Sequence, residues 1–109
     1  KVRPGVDEEG IKATLASSHQ GALRWQGGNK EAVYHQNITY QKYSKIPLLI
    51  AANCDDGGSG CLPEGTFVAT AVQAAAGNTT DTAYHMGLVA GREATSIGCN
   101  WMFNPVADI

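Results

Sequence analysis

Ile46-Pro47-Leu48-Leu49-Ile50-Ala51-Ala52-Asn53 is the stretch whose reading decides the fold. Its apolar run shows no polar alternation, the pattern of a strand that helices bury on both faces in a parallel sheet. Pro47 sits near its start, where a missing backbone N–H costs no ladder bond. From Ile46 to Ala52 the run is 7 residues long, far short of the ~20 that a membrane-spanning helix needs. No transmembrane segment is expected.

Upstream, Asp7 before Glu8 and Glu9 suits a helix N-terminus, and Ile11 and Leu15 fall on one face. The spacing predicts a helix over 7–19, then a short strand at 22–25 closed by Gly27 and Gly28. Asn29 is placed to cap a second helix reaching about Ser44, with Val33, Asn37 and Tyr40 on one stripe. Downstream, an Ala-rich helix is predicted over 70–76. A longer one starts at Thr80 or Asp81 and is ended by Gly98. Ala83, Gly87, Ala90, Ala94 and Ile97 give it a face of mostly small residues that lets it lie close on a sheet. Asn100 to Asp108 reads as a last strand. Alternation of helices and strands predicts a parallel α/β architecture.

Chain length and composition narrow the function classes. The chain has 109 residues, 43% hydrophobic and 17% charged, with a formal net charge of −2. That excludes a disordered chain and gives no basic nucleic-acid surface. The N-terminus lacks the apolar core of a signal peptide and does not begin with Met, so the chain reads as a processed or excised piece. Three Cys, an odd count, argue against a disulfide framework and favour a reducing, cytoplasmic compartment. The sequons at Asn37 and Asn78 are taken as chance.

Between strand and helix lies Asn53-Cys54-Asp55-Asp56-Gly57-Gly58-Ser59-Gly60-Cys61, a polar, glycine-rich loop. In parallel sheets and barrels, ligands bind beyond the carboxyl ends of the strands. Asn53 and Asp55 lie there on the central strand, and Asp108 lies there on the last, able to hydrogen-bond a polyhydroxylated ligand. The alternative is that Asn53 and Asp55 cap a tight turn. Cys54 and Cys61 are able to close a small disulfide or join a histidine at zinc. No CxxC or HxxxH spacing is present, and buried inert thiols are the preferred reading. The loop partly echoes a calcium-binding loop, but it starts with Asn, offers Gly57 at the fifth position and leaves a strand. No metal or cofactor is expected. A phosphate-binding loop and a serine nucleophile elbow are likewise missing from it.

These residues, with Gly65-Thr66-Phe67, the Ala83 to Gly98 helix and Trp101-Met102-Phe103-Asn104-Pro105-Val106-Ala107-Asp108, resemble the N-terminal barrel domain of family 3 glycoside hydrolases. The bacterial β-N-acetylglucosaminidase branch is the nearest likeness. There the pattern runs as a Pro-Leu-Leu-Ile-Ala strand, an Asp-x-Glu-Gly-Gly loop and a Phe-Ala-Pro-Val-x-Asp strand. This chain departs from it, with Asn53 at the usual Asp, Asp55 at the usual Glu and one extra residue before the Gly pair.

The resemblance implies retaining hydrolysis of terminal β-linked N-acetylglucosamine, with β-glucosidase activity as the alternative and a small non-enzymatic α/β binding module as the rival. It further implies that Asn53, Asp55 and Asp108 contact substrate, that Gly57, Gly58 and Gly60 let the backbone approach the sugar, and that the nucleophile and acid/base lie beyond Ile109. A complete (β/α)8 barrel takes about 250 residues, so residues 1–109 are expected to form a partial TIM-type barrel, catalytically silent alone. Its partners are expected to be a carbohydrate and, through an exposed sheet edge, a second copy of itself.

Overall fold

Leu49–Ala52 is the central strand (β2) of a parallel sheet in the computed structural model, which describes residues 5–24 and 27–107. Chain order is α1 (Glu8–Ser17), β1 (Ala22–Arg24), α2 (Lys30–Tyr43), β2, a 3-10 turn at Gly58–Gly60, α3 (Ala71–Ala76), α4 (Thr80–Ser96) and β3 (Trp101–Met102). The sheet order is β1-β2-β3, with both pairings parallel. Register places Arg24 beside Ala51, and Ala51 beside Trp101.

Two caps read from sequence start their helices, while α4 begins at Thr80 after an N-cap at Thr79, one residue before the earlier of the expected caps and with no side-chain capping bond. Asp7 accepts from the Gly10 N–H at 2.8 Å and Asn29 from the Ala32 N–H at 2.8 Å. Thr70 and Gln73 form a reciprocal capping box on α3. Helix α1 stops two residues short of the predicted 19. There the Ser17 and Ser18 hydroxyls both donate to the Thr14 carbonyl, competing with the helical pattern.

Two strands are shorter than predicted, for identifiable reasons. Leu48 stays outside β2 because the Gln41 side chain takes its backbone N–H at 2.9 Å and donates to its carbonyl at 2.8 Å. β3 ends at Met102, although the Phe103 N–H still reaches the Ala52 carbonyl. Pro105 then removes a donor, and residues 103–107 are irregular. The end of the predicted strand, including Asp108, lies outside the described residues, as does Trp25 at the end of the first strand.

Burial of β2 on both faces is also corrected. Leu23, Ile50, Ala52 and Met102 pack with the helices around Ile11, Val33, Tyr40, Ala90 and Ala94. The opposite face is not helix-covered: Leu49 is 49% exposed, while Ile50 beside it is 0%. Ala51 is buried on that open face, flanked by Arg24 and Trp101. Strand pleating sends alternate side chains to opposite faces, so the helices reach only one of them.

Helix α4 packs through Ala90 and Ala94, but Ala83 and Gly87 are exposed. Its first turns project beyond the sheet with α3. This contributes to a radius of gyration of 15.2 Å, against roughly 13 Å for a compact domain of this size. No helix among the described residues is long and apolar enough to cross a membrane.

At the other end of α4, Gly98 has φ +84° and lies so close to Asn37 that an added Cβ would stand 3.2 Å from the Asn37 Cβ. The Asn37 amide donates to the Ile97 carbonyl at 2.7 Å and is 3% exposed. That carbonyl is an orphan acceptor of the helix end, and its partner's burial keeps the Asn37 sequon inaccessible in the folded chain. Asn37→Ala is expected to cost about 1–3 kcal/mol, read as a lower urea midpoint with an unchanged slope.

Helix α1 is also tied to α2. The Tyr43 hydroxyl donates to Glu8, and Lys12 pairs with Glu8 at 3.3 Å and Glu9 at 2.8 Å. The Tyr43 hydrogen bond and then Lys12 hold the Glu8 carboxyl below its ordinary 4.5. Such a group stabilises the fold above its unfolded pKa, and the effect is lost as pH falls through the lower folded value. Wild type is therefore expected to lose more stability than Glu8→Gln between about pH 5 and pH 3. Urea unfolding at each pH measures it, with a smaller difference in high salt.

Candidate functional site

A cavity of about 250 Å³ opens at the carboxyl ends of β1 and β2, lined by Arg24, Gly27, Ala52, Asn53 and residues 59–63. A larger hollow of about 550 Å³ lies at the opposite end, against Lys12, His19, Tyr43 and Ile46. Ligands of parallel α/β sheets and barrels bind where the strands end, not where they begin. The smaller cavity is therefore the candidate site.

Asn53 follows β2 directly and reaches this cavity. Its Oδ1 is buried and accepts no hydrogen bond among the described residues, and the same holds for Asp55 Oδ1. Turn capping by these two side chains, the alternative reading, is thus not what the structure shows. Asp55 is not among the residues lining the cavity, so the two are not brought together there. Asp108 lies outside the described residues.

Two polar residues went unnoticed in the sequence. Arg24 ends β1, lines the cavity and places its guanidinium carbon 5.6 Å from the Phe103 ring centre. Asn104 carries another buried, unpartnered Oδ1 just after β3. A signal for Asn104 existed, since it replaces the Ala of the Phe-Ala-Pro-Val pattern. A single Arg in a short strand gave none.

The loop that shapes the site is held by contacts that sequence reading did not supply. Cys54 and Cys61 are joined in a disulfide, which overturns the inert-thiol reading for both. The 3-10 turn at Gly58–Gly60 folds the chain back and brings their Cα atoms to 4.7 Å, inside the roughly 4.4–6.8 Å that a bridge requires. Cys99 is buried elsewhere and takes no part. The cysteine argument for a reducing compartment falls with this pairing, because disulfides persist in oxidising surroundings. Among the described residues no group of three or more His, Cys, Asp or Glu gathers as a metal cage.

The glycines serve the loop's own packing. A Cβ on Gly57, whose φ is +98°, would meet the Thr66 carbonyl at 2.8 Å. One on Gly58 would strike the Glu93 carboxylate, which reaches from α4 to accept the Thr66 N–H at 2.9 Å. Gly60 approaches the backbone of Cys54 and Asp55. Gly57 and Gly58 thus leave room for Thr66, Val68 and Glu93, a demand for glycine that the sequence reading did not include.

Comparison with known proteins agrees with this geometry. The model for the glycosyl hydrolase family 3 N terminal domain matches residues 8–109. The chain belongs to glycosyl hydrolase family 3. A relative from Cellulomonas fimi, "Beta-N-acetylglucosaminidase/beta-glucosidase", is 42% identical over 71 residues, covering 65% of this chain and 13% of the relative. A solved structure of a beta-glucoside phosphorylase, BglX, bound to 2FGlc is 33% identical with TM-score 0.88, covering 99% of this chain and 20% of that one. A second BglX structure is 30% identical with TM-score 0.80, covering 94% and 23%. This family 3 chain thus spans between 13% and 23% of the matched proteins, and its fold is part of a parallel α/β barrel.

Gly65 tests the loop's packing. A Cβ there would lie 2.2 Å from the Gly58 carbonyl carbon and oxygen, and backbone cannot step aside as a side-chain tip can. Gly65→Ala is expected to destabilise the chain by about 1–3 kcal/mol. It should also raise amide exchange at Ser59 and Thr66 before the sheet amides, as read by hydrogen exchange.

Proposed function

We propose that these residues form the wall and part of the sugar-binding rim of a retaining glycoside hydrolase acting on terminal β-linked N-acetylglucosamine. The observation that carries the reading is Asn53, which lines the cavity where β2 ends and whose buried Oδ1 has no hydrogen-bond partner among the described residues. An amide donates and accepts together, so it bridges sugar hydroxyls as the usual Asp does, without the charge. The cavity is smaller than the ~300–1,000 Å³ of pockets that enclose drug-sized ligands and suits a single ring. Asp108 is assigned to the same rim in this reading, and Asp55, which lies outside the cavity lining, to a contact with a sugar that extends past it.

Retaining hydrolysis requires a carboxylate nucleophile and a group that protonates the leaving oxygen. Both are assigned to parts of the enzyme outside residues 1–109, and the isolated chain is therefore silent. The name of the C. fimi relative supports the acetamido sugar and glucose alike, so β-glucoside cleavage is the second reading. Self-association follows from the uncovered face and edge of the sheet, where Leu49, Trp101 and Phe103 are exposed.

Titration of the labelled chain with N-acetylglucosamine and with glucose, followed by amide chemical shifts, tests the rim. The Asn53 side-chain amide is expected to shift, more with the acetamido sugar, and Asn53→Ala to abolish binding. No shift at Asn53 with either sugar overturns the reading. In parallel, the chain is expected to release no nitrophenol from a nitrophenyl N-acetylglucosaminide and to elute above monomer size. Turnover by a pure monomer would contradict both statements.

A further inference from the structure

The open face of the sheet carries a charge that the rim reading leaves unused. Arg24 lies in one row with Ala51 and Trp101, and its guanidinium stands over the Phe103 ring. Phe103 is itself held edge-to-face against Trp101, with ring centres 4.7 Å apart. Ala51, whose side chain is one methyl group, leaves the room above β2 that this stacking occupies. A guanidinium stacked on an aromatic face keeps its N–H groups at the edge free for hydrogen bonds in its own plane.

Those N–H groups have no partner among the described residues. The ion pairs there join Lys12 to Glu8 and Glu9, at the other end of the molecule, and no side-chain hydrogen bond involves Arg24. Arg24 nonetheless lines the cavity that Asn53 enters, with Ser59 also on its wall. One wall therefore brings together Arg24, Asn53 and Ser59.

A neutral sugar hydroxyl satisfies Asn53, and no carboxylate among the described residues pairs with the guanidinium. The planar fork of an Arg matches a carboxylate or phosphate, which accepts two parallel N–H bonds. We propose that Arg24 and Asn53 form an oxyanion subsite, in which Arg24 binds a phosphate or carboxylate and Asn53 binds the hydroxylated ring adjoining it. This rests on the sugar-rim reading of Asn53. Two sources supply the same chemistry: free inorganic phosphate, or a carboxylate borne by the sugar itself.

Inorganic phosphate, glucuronate and N-acetylglucosamine are titrated separately into the labelled 109-residue chain. The Arg24 Nε–Hε and the Asn53 side-chain amide are followed in each titration. Phosphate is expected to shift Arg24, which identifies a free oxyanion. A response to glucuronate alone identifies an acidic sugar, and either result supports the subsite. Arg24→Gln is expected to weaken the effective probe about tenfold or more, and Arg24→Lys less, because Lys keeps the charge without the fork. Arg24 unmoved by both anions while N-acetylglucosamine shifts Asn53 overturns the subsite and leaves the rim intact. A shift at Arg24 with none at Asn53 from either sugar overturns the paired subsite and the rim together. The wild-type titration decides these outcomes even where a variant folds poorly.

Discussion

An apolar strand such as Leu49–Ala52, with Leu48 leading into it, must still satisfy its backbone N–H and C=O groups once water is excluded, and much of the structure follows from how that is done. Gln41 from α2 pairs with both the N–H and the carbonyl of Leu48. Asn100, just before β3, accepts the Ile50 N–H at 2.7 Å and donates to the Leu48 carbonyl at 3.0 Å. Its own N–H reaches the Ile50 carbonyl, and the Leu49 N–H reaches the Gly21 carbonyl beside β1. Two side-chain amides thus stitch the strand's entry to α2 and to β3. With β2 fixed between its neighbours, Asn53 is delivered to the mouth and Ala51 to the middle of the open face.

Covering the sheet on one side alone sets the character of everything above it. Helices seal Leu23, Ile50 and Ala52 on one side. On the other, Arg24, Leu49, Trp101 and Phe103 form the face that no helix covers. The site then lies where that surface meets the loop, and the loop is braced from outside by Glu93 on α4 and from within by the Cys54–Cys61 bridge. Few of these braces are near one another in sequence. Glu93 and Thr66 are 27 residues apart, and Asn100 and Ile50 are 50 apart.

What was legible follows a physical pattern. Helix caps at Asp7 and Asn29 are local bonds spanning three residues, and reading them placed two helix starts correctly. The parallel sheet was legible because the unbroken apolar run and the alternating elements leave few other packings. Strand ends were not, because Leu48 was claimed by Gln41 and residues 103–107 left the ladder. Asn53 was legible as a residue at the carboxyl end of the central strand, and there it lines the cavity. Arg24 was not, since its meaning comes from Phe103, at the far side of the sheet.

By itself the sequence determined the family, the order of helices and strands, and which residues follow the central strand. These depend on periodicity, capping and motif spacing, all of which act within short stretches of chain. Only the tertiary structure decided that Cys54 and Cys61 are joined, that the loop glycines pack against the chain itself, and that Arg24 shares a cavity with Asn53. Each of those depends on distances between segments that the sheet and α4 bring together, and such distances exist only once the chain has closed on itself.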